Sequence, residues 1–82
     1  MLEATYREMS KGDRAFAQAM CQDIHGSTLA EVARRMGKST SYASTYKRRL
    51  LKQGIIGERA GTTFDFDIPS LRDFLMEIEP EQ

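Results

Sequence analysis

Residues 28–54, TLAEVARRMGKSTSYASTYKRRLLKQG, carry the strongest structural pattern in the chain. Thr28 and Glu31 form a T-x-x-E capping box, in which each side chain satisfies a backbone N–H at the other position. Gly37 is expected to end this first helix of the stretch, because glycine readily adopts the left-handed conformation at a helix C-terminus. Between these ends lies an apolar stripe at helical spacing, which comprises Leu29, Val32, Ala33 and Met36.

A second helix follows after a very short connection. Ser39 or Thr40 is expected to cap it, and the helix extends to about Gln53. Only residues 37–39 separate the two helices, which is the length of the turn in a helix-turn-helix, where glycine supplies the positive φ angle. The stretch therefore predicts a helix-turn-helix.

The N-terminal side of this motif predicts one more helix. Ser10 offers an N-cap with Asp13 at the N3 position, and apolar residues at helical spacing follow. We expect this helix to run from about Lys11 to Asp23 and to end at HGS, residues 25–27. Residues 1–10 have only a weak apolar pattern and are expected to be a short helix, an N-terminal arm or a linker end, with the domain itself spanning 11–82.

The C-terminal side predicts a hairpin and a final helix. Phe64, Phe66 and Ile68 alternate, and two antiparallel strands are expected at about 55–59 and 63–67. Pro69 suits the first turn of the final helix, whose apolar stripe comprises Leu71, Phe74, Leu75 and Ile78. The predicted fold class is mainly α (α+β), with a three-helix core, a two-stranded hairpin and a C-terminal helix.

This order of elements resembles the winged helix-turn-helix class of DNA-binding domains, in which the hairpin is the wing. Residues 29–56 are similar to its helix-turn-helix, because Ala33, Gly37, Ala43 and Leu50 fall where that motif places its small helix contact, its turn glycine and its core residues. Residues 64–77, FDFDIPSLRDFLME, resemble the C-terminal winged-helix domain of certain bacterial AAA-type ATPases. The resemblance implies a DNA-binding tail of a larger ATPase or a small transcription regulator. The 82 residues contain no G-x-x-x-x-G-K-[ST] loop for ATP.

Charge is distributed unevenly along the chain. Basic and acidic residues number twelve each, but eight basic residues lie between Arg34 and Arg59, where Glu58 is the sole acid. Helices that need only solubility usually interleave glutamate with lysine. The pattern therefore favours a surface for a polyanion over a merely solvated helix.

A helical wheel divides residues 40–53 into a core arc and a polar, cationic arc. Lys47 falls on the core arc, where its stem is expected to pack while its ammonium group reaches solvent. A helix of this kind fits the DNA major groove, about 12 Å wide. If about five cations meet phosphates, log K falls with log salt at a slope of roughly −4 to −5. The predicted DNA-binding residues are Lys38, Ser39, Thr40, Ser41, Tyr42, Thr45, Arg48, Arg49, Lys52 and Arg59.

Other function classes have little support in the sequence. Cys21 is the only cysteine, which excludes an internal disulfide and fits a reducing cytoplasm. Cys21 and His25 are too few for a structural zinc site and a poor basis for catalysis, so we expect no metal, no cofactor and no enzymatic activity. No apolar run approaches the length of a membrane span, and no signal-peptide pattern occurs.

The expected partner is double-stranded DNA, with a second copy of the chain or a parent ATPase module as a further partner. The alternative is a winged helix used for protein contact or dimerisation. The apolar stripe of the final helix would serve that purpose if the domain's own core did not cover it.

Overall fold

The computed structural model describes residues 2–68 and 70–78, and this part of the chain is mainly helical with a two-stranded antiparallel sheet. The predicted α+β composition is therefore confirmed. Pro69, predicted to lie in the first turn of the final helix, is outside the described residues. In chain order the elements are α1 (Leu2–Glu8), α2 (Lys11–Met20), α3 (Leu29–Met36), α4 (Thr40–Lys52), β1 (Ile56–Glu58), β2 (Phe64–Phe66) and α5 (Leu71–Glu77).

Helix α2 begins as predicted and ends three residues early. The Ser10 hydroxyl accepts the Asp13 N–H at 3.1 Å, and the Asp13 carboxylate accepts the Ser10 N–H at 3.0 Å, so the capping box is complete. The helix stops at Met20 because the chain then turns to join the sheet. There Ser27 and Phe64 exchange two backbone hydrogen bonds, at 2.8 and 3.0 Å.

The turn between α3 and α4 has the predicted length of three residues. Gly37 ends α3 in the left-handed conformation, with φ 71°. Ser39, of the two predicted caps, accepts the Tyr42 N–H at 3.1 Å and starts α4. At the start of α3 only half of the predicted capping box forms, since Thr28 accepts the Glu31 N–H at 3.3 Å while the Glu31 carboxylate pairs with arginines of the same helix.

Replacing Gly37 with alanine tests the backbone geometry of this turn. No described atom lies within 4 Å of where the new Cβ would stand, so the cost comes from the left-handed backbone alone. We expect a loss of about 1 kcal/mol in the free energy of unfolding and a melting temperature lower by about 5 °C. Gly37→Asn, which tolerates this conformation better, should lose less than half as much. Equal melting temperatures for Gly37→Ala and the wild type would contradict the assigned conformation.

Helices α2, α3 and α4 pack around a single core that the hairpin and α5 close. The rings of Phe16 and Phe64 stack with centroids 5.7 Å apart. Leu71 and Leu75 are fully buried, and Phe74 and Ile78 pack against the same core, so the chain covers the apolar stripe of α5 itself. Other buried core residues are Met20, Val32, Ala33, Ala43, Leu50, Ile55 and Ile56.

Residues 2–9 belong to this packed unit. Of the possibilities that the sequence left open for residues 1–10, the short helix is the one found, as α1 over Leu2–Glu8. Met9 is buried, and the ring of Tyr6 meets that of Phe74 edge-on at 5.8 Å. A weak apolar pattern suffices for this helix because only Leu2 and Tyr6 need to contact the core.

The hairpin pairs in the predicted antiparallel sense, with Ile56 opposite Phe66 and Glu58 opposite Phe64. Each strand is one residue shorter at both ends than the sequence predicts. Backbone bonds nevertheless continue beyond the strands, from the Arg59 N–H to the Thr63 carbonyl at 2.9 Å. This bond extends the pairing of the two strands toward the tip of the hairpin.

Candidate nucleic-acid interface

All ten residues predicted to contact DNA are solvent-exposed. Nine of them lie on α4 or in the turn before it. Ser41, Thr45, Arg48 and Lys52 recur at i, i+4, i+7 and i+11, which places them in one row along the helix. We call this row the α4 face. It presents hydroxyl groups near the N-terminus of α4 and cations near its C-terminus.

Aromatic and hydroxyl groups surround the start of α4. The Tyr42 side chain is 40% exposed, and the Lys38 Nζ lies 5.2 Å from the centroid of its ring. The Ser39 hydroxyl is committed to capping, whereas no capping bond engages Thr40. The Thr45 hydroxyl makes only a long bond, 3.5 Å, to the Ser41 carbonyl. The Ser41 and Thr45 hydroxyls therefore remain available to an incoming hydrogen-bonding group.

Arg49 is held by a buried carboxylate, and its predicted role as a free phosphate ligand needs correction. Its Nε and Nη2 atoms donate to the two oxygens of Asp13, each at 3.0 Å. Asp13 is fully buried, while Arg49 is 47% exposed. Burial alone would raise the pKa of Asp13, but the bonds from Arg49 and Ser10 outweigh it and lower that pKa. The paired edge of the guanidinium, which would grip a phosphate, is thus occupied.

Arg59 is also paired, and its predicted contact with a phosphate or a minor groove needs the same correction. Its Nη2 donates to the Asp67 carboxylate at 2.7 Å and to the Phe66 carbonyl at 3.2 Å. The arginine therefore lies across the hairpin to β2 and its charge is offset there. The hairpin presents little net positive charge through this residue.

Three of the predicted cations keep their charge uncompensated. Within residues 2–68 and 70–78, Lys38, Arg48 and Lys52 have no acidic partner within 4 Å. Lys47 is different, because it is 22% exposed and its Nζ lies 3.6 Å from a Glu58 carboxylate oxygen and 5.0 Å from the centroid of the Phe64 ring. The Lys47 ammonium group thus lies between a core ring and an exposed carboxylate, and the expected packing of its stem stays a prediction.

A half-buried ion pair links α3 to the segment that follows α2. Arg35 donates from Nη1 and Nη2 to the Asp23 carboxylate at 2.6 and 3.0 Å, and also to the Ala19 carbonyl at 3.0 Å. The bonds from Arg35, with a further bond from Ser27, overcome the effect of burial and lower the pKa of Asp23. Since α3 leads directly into the turn, this pair helps to set the direction of α4.

Cys21 and His25 are the two remaining reactive groups that the sequence analysis considered. Burial raises the pKa of the Cys21 thiol to about 11, and the thiol donates to the Ala17 carbonyl at 3.5 Å. His25 is exposed. Among the described residues no three His, Cys, Asp or Glu side chains cluster as metal ligands would, and no helix is both long and apolar enough to cross a membrane.

These observations define a small, mainly helical domain that exposes one cationic helix face beside a two-stranded sheet. The chain belongs to the family described as a domain of unknown function, DUF8462, whose model matches residues 1–75. The match includes α1, which agrees with the packing of that helix on the core. No curated protein and no solved structure matches the chain significantly.

Proposed function

We propose that this domain is a winged helix-turn-helix that binds double-stranded DNA through α4. The observation that carries the proposal is the charge pattern around the α4 face. Arg49, Arg59 and Lys47 are each offset by a carboxylate, whereas Lys38, Arg48 and Lys52 are exposed without one among the described residues. Uncompensated cations on one rigid helix favour a polyanionic partner.

The surrounding architecture supports this use of α4. A three-residue turn joins α3 to α4, and buried residues on the inner side of α4, Ala43 and Leu50, fix its orientation. Ser41 and Thr45 lie toward the N-terminal half, the part of a recognition helix that usually reaches base edges. Arg48 and Lys52 then meet phosphates on the groove wall. The hairpin acts as a weak wing, because Arg59 is already paired.

The wider context follows from the resemblance of residues 64–77 to the C-terminal domain of AAA-type ATPases. A single module of this size buries only about 600–1,000 Å² of protein surface on DNA. Its affinity alone is therefore modest, and a second copy or a parent ATPase module strengthens it. The domain supplies DNA binding to that assembly and no catalysis of its own.

Binding to a labelled duplex, measured by fluorescence anisotropy between 50 and 200 mM salt, tests the proposal. Three phosphate contacts, from Lys38, Arg48 and Lys52, predict a slope of log K against log salt of about −3. This is shallower than the −4 to −5 expected from the sequence, because two arginines are engaged elsewhere. Absence of measurable affinity at 50 mM salt, or a slope near zero, would overturn the proposal.

The protein-contact alternative depended on the apolar stripe of α5. That stripe is packed against the domain's own core, as Leu71 and Leu75 are fully buried. Of the larger apolar side chains in α5 only Met76 is strongly exposed, at 65%. Within α5, a protein partner would therefore meet one exposed apolar side chain rather than a continuous apolar stripe.

A further inference from the structure

A groove of about 590 Å³ lies beside the α4 face, between α2 and the turn that precedes α4. One wall is a single side of α2, where the lining residues recur every three or four positions from Lys11 to Ala19, over about 12 Å. The other wall is formed by the end of α3, the turn and the first turn of α4. Residues that matter for its chemistry are Lys11 and Ala15 on the first wall, Gln22 just beyond the end of α2, and Met36, Lys38 and Tyr42 on the second wall.

The lining of this groove, which we call the α2 groove, is cationic. Among the described residues its lining contains two lysines and two arginines and no acidic residue. Arg35 is offset by Asp23, and Arg14 bonds to the Tyr6 carbonyl at 3.0 Å. Lys11 and Lys38 are exposed, and neither has an acidic partner within 4 Å among the described residues. The groove therefore has an uncompensated ammonium group on each wall.

We infer that the α2 groove holds the sugar-phosphate backbone of the DNA strand that leaves the α4 face. The inference rests on the proposed function and extends it, because it adds Lys11 as a phosphate ligand and Gln22 as a neutral hydrogen-bond donor. The fourth phosphate contact moves the expected wild-type salt slope from about −3 to about −4. Lys38 and Tyr42 belong both to the groove and to the start of α4, so the two surfaces are continuous. A strand that meets Lys38 can run on along α2 without leaving the protein.

The chemistry of the groove fits a backbone better than stacked bases. Binding of unpaired bases normally requires open aromatic faces. Tyr42 is the only aromatic residue that the described part of the chain contributes to the lining. The centroid of its ring already lies 5.2 Å from the Lys38 Nζ and 5.2 Å from the centroid of the Tyr46 ring. Ammonium and carboxamide groups, in contrast, are common ligands of phosphate oxygens.

Lys11→Gln tests this inference, with Arg7→Gln as the matched control. Both residues are exposed cations, but Arg7 lies on α1 and does not line the groove. We expect Lys11→Gln to weaken duplex binding about tenfold at 50 mM salt and to make the salt slope shallower by about 1, while Arg7→Gln changes both only slightly. If the two variants reduced affinity for the duplex equally, affinity would depend only on the net charge of the domain, and the inference would be wrong.

Ala15→Glu probes the middle of the groove without removing a cation. Ala15 is exposed on α2, so the fold should tolerate glutamate, and its carboxylate should repel the backbone and reduce affinity at least tenfold. Ala4→Glu, at an exposed position of α1, is the control and should bind as the wild type does. If both the Ala15→Glu and the Lys11→Gln variants bind the duplex as tightly as the wild type, the α2 groove does not contact DNA, although the α4 face still can. If the wild-type domain does not bind the duplex at all, the proposed function itself is wrong.

Discussion

Replacing Asp13 with alanine is expected to lower the free energy of unfolding by about 2–3 kcal/mol and the melting temperature by about 10–20 °C. The carboxylate accepts the Ser10 N–H that starts α2, and it holds the Arg49 guanidinium of α4. Removing the carboxylate therefore removes the cap of α2 and the ion pair that joins α2 to α4. Thermal unfolding followed by circular dichroism measures the change.

A matched control separates this effect from a general loss of negative charge. Glu77→Ala removes an exposed carboxylate at the end of α5 and should change the free energy of unfolding by no more than about 0.5 kcal/mol. Asp13→Asn should fall between the two, because its amide oxygen can still accept the Ser10 N–H. An Asp13→Ala variant as stable as the Glu77→Ala variant would contradict the buried pair.

Acid titration of the same variant gives a second, independent readout. The pKa of Asp13 is lowered in the folded protein below its ordinary value of 3.8. A lowered carboxyl pKa stabilises the folded state above the ordinary value, and this stabilisation is lost as pH falls through the folded value. Wild-type stability should thus decline below about pH 4 more than that of Asp13→Ala. The variant should retain part of the decline, since Asp23 has a lowered pKa as well.

The local parts of this fold were predictable because short-range rules decide them. The Ser10 capping box, the left-handed Gly37 and the Ser39 cap all involve residues at most four positions apart. The end of α2 was not predictable in the same way, since its cause is the backbone pairing of Ser27 with Phe64, 37 positions later. Local propensity alone favours a longer helix.

In the candidate site, too, features set by local sequence were predictable and features set by distant contacts were not. The helical wheel identified the exposed residues of α4 correctly, because periodicity determines which side of a helix faces solvent. It could not distinguish Arg48 from Arg49, since the partner of Arg49 is Asp13 on another helix, 36 residues away. Asp13 already had a local explanation as an N3 capping residue, so nothing in the sequence indicated a second role. Lys11 and the α2 groove were missed because they depend on how α2 and the turn pack together.

The second large effect is expected from Arg48→Gln combined with Lys52→Gln, which should weaken duplex binding about 100-fold at 50 mM salt. Both side chains are exposed on the α4 face and lack acidic partners among the described residues. Losing two phosphate contacts should also make the salt slope shallower by about 2. Arg49 is unsuitable for this test, because its removal would leave the buried Asp13 carboxylate without its partner and mix a loss of stability with a loss of binding.

The control is Arg7→Gln combined with Arg34→Gln, which removes the same charge from exposed positions outside α4. If binding depends on contacts made by the α4 face, the control should keep an affinity within about threefold of the wild type, because distant exposed charges are largely screened at these salt concentrations. Melting temperatures of both double variants should match that of the wild type, since neither pair contacts the core. The Arg48→Gln, Lys52→Gln variant could instead be folded and bind DNA as tightly as the control. That result would show that α4 does not enter the DNA major groove, whatever the charge of the domain.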